Sequence, residues 1–253
     1  MYVACSSLCF GAKPLEAVMR TIRELNFSKA DLAVGETEGL LRPSDIAIDP
    51  GKFAQKLRAT NVPVAAFRVT FAELDGETTR KQLRGVCRLA RLLTVPLISV
   101  PAAPKGSDLA QDVQRLGEWL KLVQSEGVIL TIETHSETLT ADPAAAVELC
   151  RRVPGLGLTL DPSHYLAGPH GPCNYDALFP YVKHVRLRDT SAKPDAFQVR
   201  VGQGDVEYGR IVAQLDRFKY DRALSVDIHN KPDSPFPVEP EVRKLKYLLE
   251  SLV

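Results

Sequence analysis

Two periods of hydrophobicity take turns along the chain. Runs in which apolar residues fill every second position, or nearly every position, predict strands over Val3 to Phe10, Ala30 to Val34, Pro63 to Val69, Leu97 to Ala102, Ile129 to His135, Gly157 to Asp161, Val182 to Asp189 and Ala223 to His229. Between them apolar residues recur at three-and-four spacing, as on a helix with one buried face. Examples are Leu15, Val18, Ile22 and Leu25, then Leu83, Val86, Cys87 and Ala90, then Leu109, Val113, Leu116, Leu120 and Val123. Proline after an acidic residue marks further helix starts at Asp49-Pro50, Asp142-Pro143 and Glu239-Pro240. Eight strand-then-helix units in 253 residues match the arithmetic of an α/β fold of the (β/α)8 TIM-barrel type. A doubly wound sheet would use fewer strands and carry a glycine-rich phosphate turn after the first, which this sequence lacks. No linker interrupts the alternation, so residues 1–253 are expected to form one domain.

In such a barrel the strand face toward the axis turns polar near the carboxyl end, where active sites are assembled. Four late strands follow that rule. Thr131, Glu133 and His135 alternate with Leu130 and Ile132; Thr159 and Asp161 with Leu158 and Leu160; His184, Arg186 and Arg188 with Val185 and Leu187; Ser225, Asp227 and His229 with Leu224, Val226 and Ile228. All five histidines (His135, His164, His170, His184, His229) fall in the second half of the chain, most of them at or just beyond a predicted strand end. Glu133, Asp161 and Asp227 converge on one barrel mouth, and buried carboxylates need a cation, either a divalent metal or an arginine.

Composition narrows the partners. Lys and Arg total 32 against 31 Asp and Glu, a net charge of +1, so nothing favours a nucleic acid or an anionic membrane. The longest apolar stretch, Leu92 to Pro104, is broken by Thr94, Pro96, Ser99 and Pro101 and falls short of the roughly 20 residues of a membrane helix. Tyr2 to Phe10 has no basic region before it and reads as a strand, not a signal peptide. Five scattered cysteines without a Cys-x-x-Cys pair suit reduced thiols and a cytoplasmic location.

Ile-Glu-Thr-His at 132–135, Leu-Asp-Pro-Ser-His at 160–164, Lys-His-Val-Arg-Leu-Arg-Asp at 183–189 and Val-Gly-Gln-Gly-Asp-Val-Glu-Tyr at 201–208 resemble the sugar isomerase/epimerase family of xylose isomerase-like barrels. The resemblance implies a sugar or sugar-like polyol or keto compound as partner. It also implies isomerisation or epimerisation by proton transfer next to a carbonyl, and a divalent metal ion (Mn, Mg, Co or Zn) as cofactor. A related lyase of the inosose dehydratase type, or a silent sugar-binding barrel, remains an alternative. An endonuclease IV-like role fits less well, because it needs a richer ligand set and a basic face. A homo-oligomer is compatible with the sequence.

Carried over residue by residue, the resemblance makes Glu133, Asp161, His184 and Asp227 the metal ligands, with Glu133 and Asp227 also the acid and base. Substrate contacts fall to His135, His164, Arg186, Arg188 and His229. Two positions depart from the family pattern. Arg186 stands where a metal-binding histidine is expected, and Asp227 replaces a glutamate, losing about 1.5 Å of reach. An arginine is no metal ligand. Either His184 supplies the nitrogen, or Arg186 pairs with Glu133 or Asp161 and takes the cation's place. The Gly202-Gln203-Gly204-Asp205 turn reads either as a ligand-contacting loop or as a tight turn whose Asp205 caps a helix starting near Val206. Arg188 and Asp189 read as supporting salt bridges or as catalytic groups.

Overall fold

The computed structural model describes every residue except Glu38, His170, Pro194, Asp195 and Asp233, so the expectation for His170 lies outside the described residues. Eight parallel strands close into a barrel in sequence order. They are β1 (Tyr2–Ser6), β2 (Ala30–Val34), β3 (Val64–Val69), β4 (Leu97–Pro101), β5 (Ile129–Glu133), β6 (Gly157–Leu160), β7 (Val182–Leu187) and β8 (Ala223–Val226). Closure is made by β1 on β8, with Tyr2 opposite Ala223 and Cys5 opposite Val226.

The helices are α1 (Leu15–Glu24), α2 (Pro43–Ile48), α3 (Pro50–Arg58), α4 (Glu77–Leu93), α5 (Leu109–Ser125), α6 (Pro143–Arg152), α7 (Ser163–Leu166), α8 (Tyr208–Arg217) and α9 (Val238–Glu250). The expected stripes form their inner faces: Val18 and Ile22, Leu83, Val86 and Ala90, and Leu116 and Val123 are fully buried. Two of the three acidic-proline starts act as read, since Asp49 and Asp142 accept hydrogen bonds from Lys52 N and Ala144 N ahead of α3 and α6, whereas α9 already begins at Val238 and Glu239 lies inside its first turn. Two departures stand out. The short α2 packs so closely on α4 that a Cβ on Gly85 would stand 2.6 Å from Ala47 Cα. The sixth unit has no full helix, only the one-turn α7 and a 3-10 segment, Asp176–Tyr181, that contains Pro180.

Inside the barrel the lower end is closed by small residues, Ala4, Ala65 and Ala223, with Tyr2 packed on them. Above them the axis is polar: Thr131 and Thr159 share a hydroxyl hydrogen bond of 2.8 Å, and Asp31, Ser99, His184, Arg186 and Ser225 are all buried. Among the described residues all five cysteines are free thiols, four of them buried. No described helix is long and apolar enough to cross a membrane.

Candidate active site

The late strands end earlier than the hydrophobic pattern predicts, and their key side chains stand just past the ladder. Beyond β5, Thr140 Oγ1 donates to Glu133 O at 2.8 Å and accepts from His135 N at 3.0 Å, so the chain leaves the sheet with both groups satisfied. Tyr165 holds that corner by donating to Thr140 O at 2.7 Å. Beyond β6, Asp161 Oδ1 accepts from Ser163 N (3.0 Å) and Ser163 Oγ (2.6 Å), an Asx-type turn that opens α7 and leaves Oδ2 facing the axis. Beyond β8, the Gln198 side chain meets the His229 backbone twice, accepting from its N–H at 2.7 Å and donating to its carbonyl at 3.0 Å.

At the floor three guanidiniums face four carboxylates. Arg68 on β3 donates to Glu133 Oε1 at 2.5 Å and to Asp227 Oδ2 at 3.2 Å. Arg188 donates to Asp161 Oδ2 at 2.5 Å and lies 3.7 Å from Asp227 Oδ2. Arg186 forms a two-pronged pair with Asp31 on β2, at 2.8 and 3.0 Å, and touches Glu133 Oε1 at 3.2 Å. Asp31 also receives His184 Nε2 at 2.7 Å, and Ser225 Oγ lies 3.3 Å from the same nitrogen.

Three expectations need correction here. Arg186 meets Glu133 Oε1 at 3.2 Å as expected, but its two-pronged pair is with Asp31 and it makes none with Asp161, and at 0% exposure it does not line the cavity. His184 is directed to Asp31 and is not brought together with Glu133, Asp161 and Asp227, so the expected four-residue donor set is not assembled. The glycine turn grips Asp189, whose Oδ2 accepts from Gly202 N (2.6 Å) and Gly204 N (3.1 Å); its amides are spent on the protein. Asp205 accepts from Ala192 N, and α8 starts later, at Tyr208, with Glu207 before it, so Asp205 is not its cap. Arg188 makes the expected ion pair, with Asp161, while Asp189 is held by backbone N–H groups.

Asp31 and Arg68 were not anticipated, yet each leaves a mark in the sequence: a lone charge inside an otherwise apolar strand, in Ala-Asp-Leu-Ala-Val and Phe-Arg-Val.

Above this floor lies a cavity of about 740 Å³. Its walls include Arg68, His135, His164, Arg188, Phe197 and His229, with Lys231 at the edge. A recess of about 610 Å³ shares Ser136, Glu137 and Phe197 and extends to Leu166 and Pro169. The imidazoles of His135 and His164 lie 4.1 Å apart, and Phe197 is 5.3 Å from His164. His164 Nδ1 accepts from Ser136 N at 3.2 Å, which puts the proton of the neutral ring on Nε2, facing the floor.

Charge states follow from these contacts. Burial pushes the Glu133 carboxyl up, but Arg68 and Arg186 beside it hold it below its ordinary range. Burial opposes ionisation of Asp161 too, and Arg188 and His164 reverse it. For Asp227 burial is outweighed by His229, Arg68 and Arg188, which hold the carboxyl well below the usual range. Burial lowers all three rim imidazoles, His164 to about 3 and His135 and His229 below their ordinary value, so the rings are neutral at pH 7. At that pH the guanidiniums are therefore what keep Asp227 ionised.

The donor set does not fit a divalent metal. Every carboxylate that would ligate one already has an oxygen on a guanidinium, and an arginine cannot give up its proton to make room. Among the described residues no group of three or more His, Cys, Asp and Glu side chains is placed to hold a metal ion.

The family model for xylose isomerase-like TIM barrels matches residues 19–250, and the chain belongs to that family. Among solved structures it is similar to a D-tagatose 3-epimerase-like protein (20% identity, TM-score 0.75, covering 100% of this chain and 98% of that one). It is also similar to a xylose isomerase-like barrel protein from Mycobacterium smegmatis in complex with magnesium (17%, TM-score 0.77, 100% and 98%). A third is a D-allulose 3-epimerase from Methylomonas sp. in complex with D-allulose (14%, TM-score 0.76, 100% and 97%). At these identities the likeness is one of fold. No curated protein matches the chain.

Proposed function

We propose that the protein isomerises or epimerises a small polyhydroxylated carbonyl compound, a sugar or a sugar-like keto-polyol, by proton transfer at the carbon next to the carbonyl. The observation that carries this reading is the cavity floor, where the Arg68 guanidinium stands between two ionised carboxylates, Glu133 and Asp227, beneath a rim of neutral imidazoles. The sugar bound in the allulose epimerase, a relative in fold, supports the substrate class.

A substrate resting on that floor offers its carbonyl oxygen to N–H groups of Arg68 and Arg188. Removing the neighbouring proton places negative charge on this oxygen, and fixed donors stabilise it most where water is scarce. Glu133 is the base: its Oε1 is held by the guanidiniums, and its Oε2 makes no hydrogen bond with a described residue. The same carboxyl returning the proton to the adjacent carbon, while the enediolate's hydroxyl proton passes to the former carbonyl oxygen and leaves a new carbonyl behind, gives isomerisation. Epimerisation needs a donor on the other face. Asp227 has a fully buried side chain, so its partner His229, 3.0 Å away and 22% exposed, is the group that takes a proton from solvent and delivers it. His135 and His164 receive hydroxyl groups, and Phe197 covers the carbon face.

The test is incubation with ketopentoses and ketohexoses in D2O with EDTA, followed by NMR. The expected result is deuterium at the carbon beside the carbonyl. A sugar that binds without exchange replaces this reading with the silent barrel, and a dehydrated product replaces it with the lyase.

A further inference from the structure

We propose that Arg68 is a resident cation that keeps divalent metal out of the barrel floor, so that shortening this one side chain turns the floor into a divalent-cation site. The proposal does not depend on proton transfer, because it is read in the absence of substrate.

Arg68 reaches the floor from β3, across the axis from the carboxylates, and bridges Glu133 Oε1 at 2.5 Å and Asp227 Oδ2 at 3.2 Å. It also lies 3.3 Å from His229 Nε2. A metal shared by these atoms would need them at about 2.0–2.2 Å, a distance that a guanidinium already in hydrogen-bond contact with the same oxygens forbids. The three arginines are not equivalent in this respect. Arg186 is anchored away from the cavity on Asp31, and Arg188 is tied to Asp161 and Ser163. Arg68 joins the two carboxylates that face each other across the floor, Glu133 and Asp227, and its side chain, 14% exposed, is the most accessible of the three.

The floor also holds an unspent ligand. Asp227 Oδ1 is buried and accepts no hydrogen bond from a described residue, although its side chain is 0% exposed. Without Arg68, Glu133 Oε2 and Asp227 Oδ1, neither of which is hydrogen-bonded to a described residue, and Asp227 Oδ2 form an oxygen-rich set beside the His229 imidazole, while Arg186 stays 3.2 Å from Glu133 Oε1 and Arg188 stays 3.7 Å from Asp227 Oδ2 and 3.2 Å from His229 Nε2. Hard or borderline divalent ions such as Mn2+ accept that combination. The lost positive charge would be restored by the metal.

The experiment measures Mn2+ binding by electron paramagnetic resonance, with thermal unfolding in parallel, on wild type, Arg68→Ala and Arg68→Ala with Glu133→Gln. Wild type is expected to leave millimolar Mn2+ free and to melt at an unchanged temperature. Arg68→Ala is expected to bind one Mn2+ per chain, to melt higher as Mn2+ rises, and to release the ion to added methylguanidinium. Adding Glu133→Gln should weaken that binding at least about tenfold. Stoichiometric Mn2+ on wild type overturns the proposal, as does a folded Arg68→Ala that binds none. If Arg68→Ala does not fold in EDTA, it and Arg68→Met are refolded with Mn2+. Recovery of native circular dichroism with Mn2+ but not Na+ supports the proposal, and failure of both variants overturns it.

Discussion

Arg186 and Asp31 show how buried charges inside the barrel hold one another, while Arg186 also reaches Glu133 at 3.2 Å. Both are essentially shielded from solvent, at 0% and 1%, and their two-pronged contact compensates charges that neither could carry singly in the interior. Burial opposes ionisation of Asp31, and Arg186 and His184 hold it ionised. Removing Arg186 leaves the Asp31 carboxylate with only the His184 imidazole beside it among the described residues, so Arg186→Met is expected to cost about 3–5 kcal/mol, read from urea unfolding. The double variant with Asp31→Asn should recover a good part of that loss, because no buried charge is then left alone. A double variant no more stable than the single one would show that Arg186 acts by packing. Glu133 carries the opposite kind of prediction. Glu133→Gln keeps the shape and the oxygen beside Arg68 but removes the base, and is expected to slow deuterium exchange by about 10²–10⁴-fold. Its unfolding midpoint should move far less than that of Arg186→Met, since the Arg68 charge keeps Asp227 at 3.2 Å.

At the scale of elements, the site is set by where strands stop. His229 leaves β8 with its backbone N–H and carbonyl both held by Gln198, a side chain acting in place of a neighbouring strand. The loop that carries Gln198 is in turn fastened through Asp189 to Gly202 and Gly204, and a Cβ on Gly204 would stand 2.2 Å from Asp189 Oδ1. Gln198→Ala is therefore expected to lower kcat with a modest loss of stability, about 0.5–1.5 kcal/mol for each hydrogen bond. Gly204→Ala should reproduce the kcat loss from a distance. A Gln198→Ala enzyme with unchanged kcat would separate His229 from the chemistry. Alternation made the eight strands and the inward parity of Glu133, Asp161 and Asp227 readable from the sequence, because a charge on that face breaks an apolar rhythm. The strands' carboxyl ends are not legible there, because Asp161, Arg188 and Asp227 keep the rhythm after the ladder has ended. The role of Arg68 is not legible because it depends on reaching across the barrel from β3 to β5 and β8, and a period within one strand says nothing about partners 65 and 159 residues away. Gln198 sits in a loop without any period, so its contact with His229 has no local signal at all.

Taken as a whole, the molecule closes a barrel over an ion-paired interior roofed by imidazoles, and that arrangement makes its stability depend on pH in a defined direction. Burial depresses His164 to about 3, so between its ordinary pKa near 6.5 and about 3 the unfolded chain holds a proton on this ring that the folded chain does not. The unfolded state binds more protons across that window, so stability falls as pH drops from 6.5 and the contribution is fully lost below about 3. Glu133, Asp161 and Asp227, all held below their ordinary ranges, contribute stability above about pH 4.5 and lose it as acid protonates them, so their loss follows the histidine's. Urea unfolding at pH 7, 6 and 5 should therefore show a decline already between 7 and 5, before any carboxylate titrates. In His164→Asn, whose amide oxygen can still accept from Ser136 N, the slope should be flatter by up to about 1.4 kcal/mol per pH unit, the value of one proton. Equal slopes in the two proteins would mean that the ring takes up its proton in the folded state. The floor would then have to tolerate an imidazolium 3.3 Å from the Arg188 guanidinium, and its charge balance would differ from the one the neutral rim requires.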